Sequence, residues 1–410
     1  MSSVGARFFA AVFRSIGVDS RPSPESNERT LELGGLHTSG EECYPQKITL
    51  GNFLRVLEEN GPEKTAFFMP TADGPCRFGQ YRPYLRLVLD RMGFENVPII
   101  SASSRDGYDE LGDYTDDPLG MIRTLWRGIV CGDILRKMLL RVRPYESQPG
   151  STDEVYEIAV GKIERILSTP ELSKRELMQR LLSGMEEARD MFRKVPADYI
   201  RDKPLIGVVG EIFCRLNTFS NFDAVRKVEQ HGGECWLSDI AEWVMYTNWS
   251  HQELLKRDRK QFTVDMLAAK LKNQFQRMDE KKLYSPFEQD FHGYEEPDDV
   301  YDDLLEPAWE YLPANGALGE MVLSVGKSIY LYGKGADGII DISPFSCMNG
   351  IVTQSVYHDI ARDCDRMPVR NFYFDASSSN MERDLDIFME LAEVYRRKKR
   401  IERKYPRCFV

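Results

Sequence analysis

Eight cysteines punctuate this 410-residue chain, and their surroundings divide them into two kinds. Cys43, Cys76 and Cys347 each stand among glycine and proline. Their settings are Gly40-Glu41-Glu42-Cys43-Tyr44-Pro45, Gly74-Pro75-Cys76-Arg77-Phe78-Gly79 and Pro344-Phe345-Ser346-Cys347-Met348-Asn349-Gly350. Each precedes a stretch whose apolar residues recur with helical spacing. A thiol at a helix start faces free amides and the positive end of the dipole, which lowers its pKa and favours thiolate. Thiolates are the soft ligands that select iron–sulfur clusters or zinc. The intervals are long and contain no C-x-x-C pair, so spacing by itself leaves a metal site and three unrelated thiols both open. Cys214, beyond the apolar run Leu205–Val209, is a weaker fourth candidate. Cys131 beside Ile129, Val130 and Ile134, Cys235 beside Trp236, and Cys364 and Cys408 read as small hydrophobes or surface thiols.

Other motifs fail on context. Gly333-Lys334-Gly335-Ala336-Asp337-Gly338 spells a dinucleotide fingerprint, but the strand follows it where a strand should precede it. Val325-Gly326-Lys327-Ser328 ends like a phosphate loop, yet Met321 occupies the place of the required first glycine. The histidines His37, His231, His251, His292 and His358 have no ligand spacing, and no G-x-S-x-G elbow is present.

The elements that must position the thiols alternate between β-branched runs and helical patterns, which predicts α/β layers around mostly parallel sheets. Strand Ala66–Met69, the loop 71–79, a helix carrying Tyr84, Leu85, Val88, Leu89 and Met92, and strand Val97–Ile100 make one βαβ unit. Residues 150–203 read as a helical connector. A second α/β half follows over 204–410, with strands Leu205–Val209, Glu234–Leu237, Ile339–Ile342 and Asn371–Phe374 and a helical insert over about 250–330. This gives an N-terminal lobe over 1–149 with Cys43 and Cys76, and a C-terminal lobe with Cys347. Cys76 and Cys347 then fall at carboxyl ends of strands, where ligands of open α/β sheets collect. The acidic stretch Glu295–Asp303 is expected to be a solvated loop, and the basic run Arg396–Arg400 a solvated helix end.

A net charge of −11 argues against nucleic acid as a partner. No apolar run approaches the ~20 residues of a membrane helix, and Phe8–Phe13 lacks the marks of a signal peptide, so a cytoplasmic protein with reduced thiols is expected.

At these same residues the chain resembles the iron–sulfur proteins of the 2-hydroxyacyl-CoA dehydratase and activase-related family. The matching stretches include Ser39–Pro45, 68–81 with its Gly-Pro-Cys-Arg-Phe-Gly-Gln-Tyr block, Trp126–Val130, Gly207–Ile212, Arg215–Asn217, Phe219–Asn221, Glu242-Trp243, Leu323–Lys327 and Pro344–Met348. The resemblance implies two Rossmann-like lobes with a cluster in the cleft between them. By position it implies a [4Fe–4S] cluster held by Cys43, Cys76 and Cys347, and electrons from a separate ATP-dependent activase of the actin-like class. Relatives often carry a second cysteine where this chain has Gln46, which counts against a larger cluster. Cys131 is a ligand only if its helix faces the cleft. Two functions follow: low-potential electron transfer, or a catalytic dehydratase-like subunit taking an acyl-CoA. A cluster-free scaffold is the non-redox alternative. Arg77, beside Cys76, is expected to tune the site, contact a partner or form a surface salt bridge.

Overall fold

A computed structural model describes residues 2–72, 74–101, 109–376 and 381–409, so Asp73 of the loop before Cys76 lies outside the described residues. The chain opens with α1 (Ser3–Ser15), capped by the Ser2 hydroxyl, which accepts from the Gly5 amide at 2.9 Å. At the start of α2 (Glu28–Leu36), Asn27 and Thr30 satisfy each other's amides in a capping box. α3 (Tyr44–Asn60) crosses α2 at backbone contact. A Cβ at Gly51 would lie 1.8 Å from the Thr30 carbonyl oxygen, and one at Gly34 would lie 2.1 Å from that of Lys47. The two glycines thereby permit this close crossing, and α3 begins at the residue after Cys43.

The βαβ unit forms as expected from β1 (Phe67–Phe68), α4 (Tyr81–Arg91) and β2 (Ile99–Ile100), with Phe67 opposite Ile99 in parallel register. Its strands are shorter than the apolar runs, because only two residues of each find ladder partners. Phe53 of α3 stacks on Phe67 at 3.8 Å, and Leu85, Val88 and Leu89 of α4 close this small core.

A short α5 (Asp109–Gly112) leads to α6 (Pro118–Val142), α7 (Ser151–Leu167) and α8 (Lys174–Arg193). α6 starts with the Asp117 carboxylate accepting from the Gly120 amide and proline at its first position. These helices pack with α1 as one bundle, so the boundary expected at residue 150 runs between helices that share a core.

The remainder builds a larger parallel sheet from β3 (Leu205–Gly210), β4 (Glu234–Leu237), β5 (Gly338–Pro344) and β6 (Val369–Phe374), in the order β4-β3-β5-β6. The intervening helices are α9 (Ile212–Leu216), α10 (Ala224–Gln230), α11 (Ile240–Arg257), α12 (Val264–Tyr284), α13 (Glu306–Ala308), α14 (Glu320–Gly333) and α15 (Met348–Asp363), and α16 (Met381–Arg396) comes last. Separate apolar clusters cover the two sheet faces, which is why β3 and β5 are buried along their whole length. The chain leaves β3 toward β4 on one side and later enters β5 on the other. The carboxyl ends of β3 and β5 therefore flank the point where the winding reverses. Among the described residues, no helix is long and apolar enough to cross a membrane.

Two charged segments depart from expectation. Within the acidic stretch, Glu296 is largely covered, with its side chain 11% exposed, is ion-paired to Lys137 of α6 and Lys327 of α14, and accepts from Trp236 Nε1 at 2.9 Å. Two lysines supply the compensation that a buried carboxylate requires. The next residues, Tyr301–Leu305, form a π-helical turn. The basic run does not prolong α16 beyond Arg396. Lys399 folds back and pairs with Asp337 at 2.7 Å, with its side chain one-tenth exposed.

Candidate metal centre

Cys43, Cys76 and Cys347 each occupy the residue immediately before a helical segment: Cys43 before α3, Cys76 before a 3-10 turn at Arg77–Gln80, and Cys347 before α15. Local chemistry sets each one. The Glu42 carboxylate accepts from the amides of Ser39 and Gly40 and from the Tyr84 hydroxyl, and it shapes the turn that delivers Cys43. Those donors hold Glu42 down at about 2 although partial burial works against them. Gly74 turns the chain toward Cys76 at φ 106°, a conformation that strains any side chain, and a Cβ there would press on Leu318 at 3.2 Å. Ser346 adopts the left-handed φ of 59° directly before Cys347, a conformation that costs a serine about 1 kcal/mol and is held by its surroundings.

Arg77 ties these pieces together. Its guanidinium donates to the Glu41 carbonyl at 3.1 Å and to the Ser346 carbonyl at 3.3 Å, clamping the residues before Cys43 and Cys347 from the Cys76 loop. The thiols sense one another accordingly. Cys76 acts electrostatically on Cys43, Cys43 acts on Cys347, and both Cys43 and Cys347 act on Cys214. Cys214, inside α9 and fully buried, thus belongs to the same neighbourhood. Cys131 does not: it is enclosed in the bundle core, and Arg127 is the charge that acts on it.

Titration departs from the sequence reading. Burial pushes the Cys43 thiol up to about 11, with the Tyr81 hydroxyl and the Arg77 charge only partly opposing it. Burial also raises Cys76 and Cys347, even though the Phe78 amide faces the first sulfur and the Gly350 and Asn349 amides face the second. Helix-start amides are present as expected, but desolvation outweighs them. Glu211 strengthens the effect, since its half-buried carboxylate acts unfavourably on all four thiolates. That carboxylate caps α9, accepting from Phe213 at 3.0 Å and Cys214 at 2.7 Å.

Among the described residues, no three His, Cys, Asp or Glu side chains stand close enough together for a single ion. An iron–sulfur cluster takes its thiolates on separate iron atoms, so it requires soft donors around a shared space. Three thiols at segment starts, on turns that Arg77 ties together, fit that donor chemistry. Deprotonation of such buried thiols needs a positive partner, and a bound metal supplies one.

Sequence reasoning did not single out Glu211, Tyr81 or Arg215. All three lie in stretches that carry the family resemblance, and Glu211 directly follows β3, a position that signals a ligand-side residue in a parallel sheet. Comparison of the chain with protein-family models, with curated proteins and with solved structures gives no match.

Proposed function

We propose that the protein is an iron–sulfur protein for low-potential electron transfer, with Cys43, Cys76 and Cys347 as ligands of a [4Fe–4S] cluster and an ATP-dependent activase as electron donor. The observation that carries this reading is the clamp of Arg77 on the carbonyls of Glu41 and Ser346, which ties three cysteine-bearing turns to one another. The reading of the two parallel sheets as paired Rossmann-like lobes belongs to the same proposal.

When bound, the cluster supplies one-electron chemistry. The chain's part is to hold and shield it. Cys43 and Cys347 are buried and Cys76 partly so, which limits water at the sulfurs. Amides of Phe78, Asn349 and Gly350 and the Arg77 charge favour thiolate. Glu211 opposes added negative charge and so favours a lower potential. Replacing Cys76 or Cys347 by serine is expected to remove most of the iron and the visible charge-transfer absorbance after anaerobic reconstitution, with folding intact by circular dichroism. Full iron retention in both variants would overturn the ligand assignment.

The catalytic alternative, a dehydratase-like subunit that takes an acyl-CoA, is separated by thioester binding to the cluster-loaded protein. Reduction by an activase with ATP in the absence of such binding supports electron transfer.

A further inference from the structure

Six cations are buried among the described residues: Arg127, Lys137, Arg141, Arg215, Lys327 and Arg403. Five of them have a carboxylate oxygen within 4.0 Å: Asp279 for Arg127, Glu296 for Lys137, Glu234 for Arg141 and Arg403, and Glu242 for Lys327. Arg215 has none. Its residue is 7% exposed, its Nε is sealed from solvent without a hydrogen-bond partner, and its two Nη groups keep contact with open space. A buried charge without a partner is strongly disfavoured, so folded proteins pair such groups or use them.

The nearest carboxylates are already engaged. Glu242 is paired to Lys327, Glu211 accepts the Phe213 and Cys214 amides, and Glu320 accepts the Ile212 amide at 2.8 Å. All three act on Arg215 through space without forming an ion pair. Glu242 and Glu320 lie in the first turns of α11 and α14, whose positive dipole ends therefore face the same region. At the carboxyl end of β4, the Ser238 hydroxyl is also sealed without a partner.

We infer that Arg215 anchors an anion subsite between α9 and the N-terminal turns of α11 and α14, and that this subsite takes the carboxylate of a small-molecule ligand. A guanidinium fork matches the two coplanar oxygens of a carboxylate, which a lysine cannot do. The subsite adjoins Cys214 and so lies beside the proposed centre, but it requires no cluster.

The test uses metal-free protein in a chloride buffer, with malonate, acetate and inorganic phosphate as probes in calorimetry and thermal unfolding. Malonate or acetate is expected to bind and to raise the Tm of the unsubstituted protein. Arg215→Met should weaken that binding at least tenfold, and in anion-free buffer it should melt at or above the unsubstituted chain, because an unpaired buried charge has been removed. Arg215→Lys should keep only part of the affinity. Equal stabilisation of both proteins by carboxylates, a lower Tm of Arg215→Met without any anion effect, or binding of phosphate alone would each overturn the assignment. If Arg215→Met does not fold, malonate protection of Arg215 from phenylglyoxal, read by peptide mass spectrometry, decides the matter, and absence of protection overturns it. Because no cluster is present, failure here is distinct from failure of the electron-transfer reading.

Discussion

The lysine network and the thiol cleft bury charged or ionisable groups in opposite ways. In the network, Lys137, Glu296, Lys327 and Glu242 alternate in sign, and the Lys137 ammonium lies 4.7 Å from the Trp236 ring centroid. The two lysines hold Glu296 down at about 2 against a burial that alone would raise it. Around the thiols, the Glu211 carboxylate acts unfavourably on all four, the Arg77 charge reaches Cys43 and Cys76 and Arg215 acts on Glu211, yet burial pushes the thiols up. The first region is complete within the chain. In the proposed reading, a bound cluster completes the second.

The largest effect is expected where completion is broken. Lys327→Met leaves Glu242 and Glu296 without their shared ammonium and should destabilise the protein by about 3–5 kcal/mol in urea unfolding. A double variant adding Glu242→Gln should recover part of that loss; no recovery would mean that Lys327 acts through packing alone.

Next comes the cleft's response to pH. Cys43 is raised in the folded state, so in metal-free protein its own share of stability, about 2–3 kcal/mol, is kept below about pH 9 and lost as pH climbs to about 11, with the raised Cys76, Cys347 and Cys214 adding loss of the same sign. The sign follows because the folded state holds the proton that the unfolded state releases. Cys43→Ala should flatten that slope, and an unchanged slope would assign it to other groups. Loading the centre should also abolish it, since the thiol is then deprotonated throughout.

Arg77→Ala removes two hydrogen bonds from an exposed guanidinium and should cost about 1 kcal/mol. Its sharper readout is slower reconstitution, because the Cys43 and Cys347 turns lose their clamp. The smallest effect belongs to Cys131→Ala, which should leave iron content unchanged; a fall in iron would bring the bundle into the site.

These contrasts mark how far the sequence is legible. Glycine and proline around Cys43, Cys76 and Cys347 reveal segment starts, and the β-branched runs reveal β3 and β5, because both signals are local. The pairing of Lys327 with Glu242 and Glu296 joins positions 85 and 31 residues apart, and no periodicity encodes it. Glu296 sits in a run that reads as solvated, because composition cannot show that two lysines from distant helices cover one residue of it. The raised thiols escape for the same reason. A helix start is visible in sequence, but the burial that outweighs it arises only when α3, the Cys76 turn and α15 meet.

Iron and acid-labile sulfide per chain, in protein purified without oxygen, decide whether the three thiols hold a cluster. About four of each are expected, in keeping with one cubane on three cysteines. Neither element, even after anaerobic reconstitution, would overturn the cluster and leave the thiols as part of a scaffold.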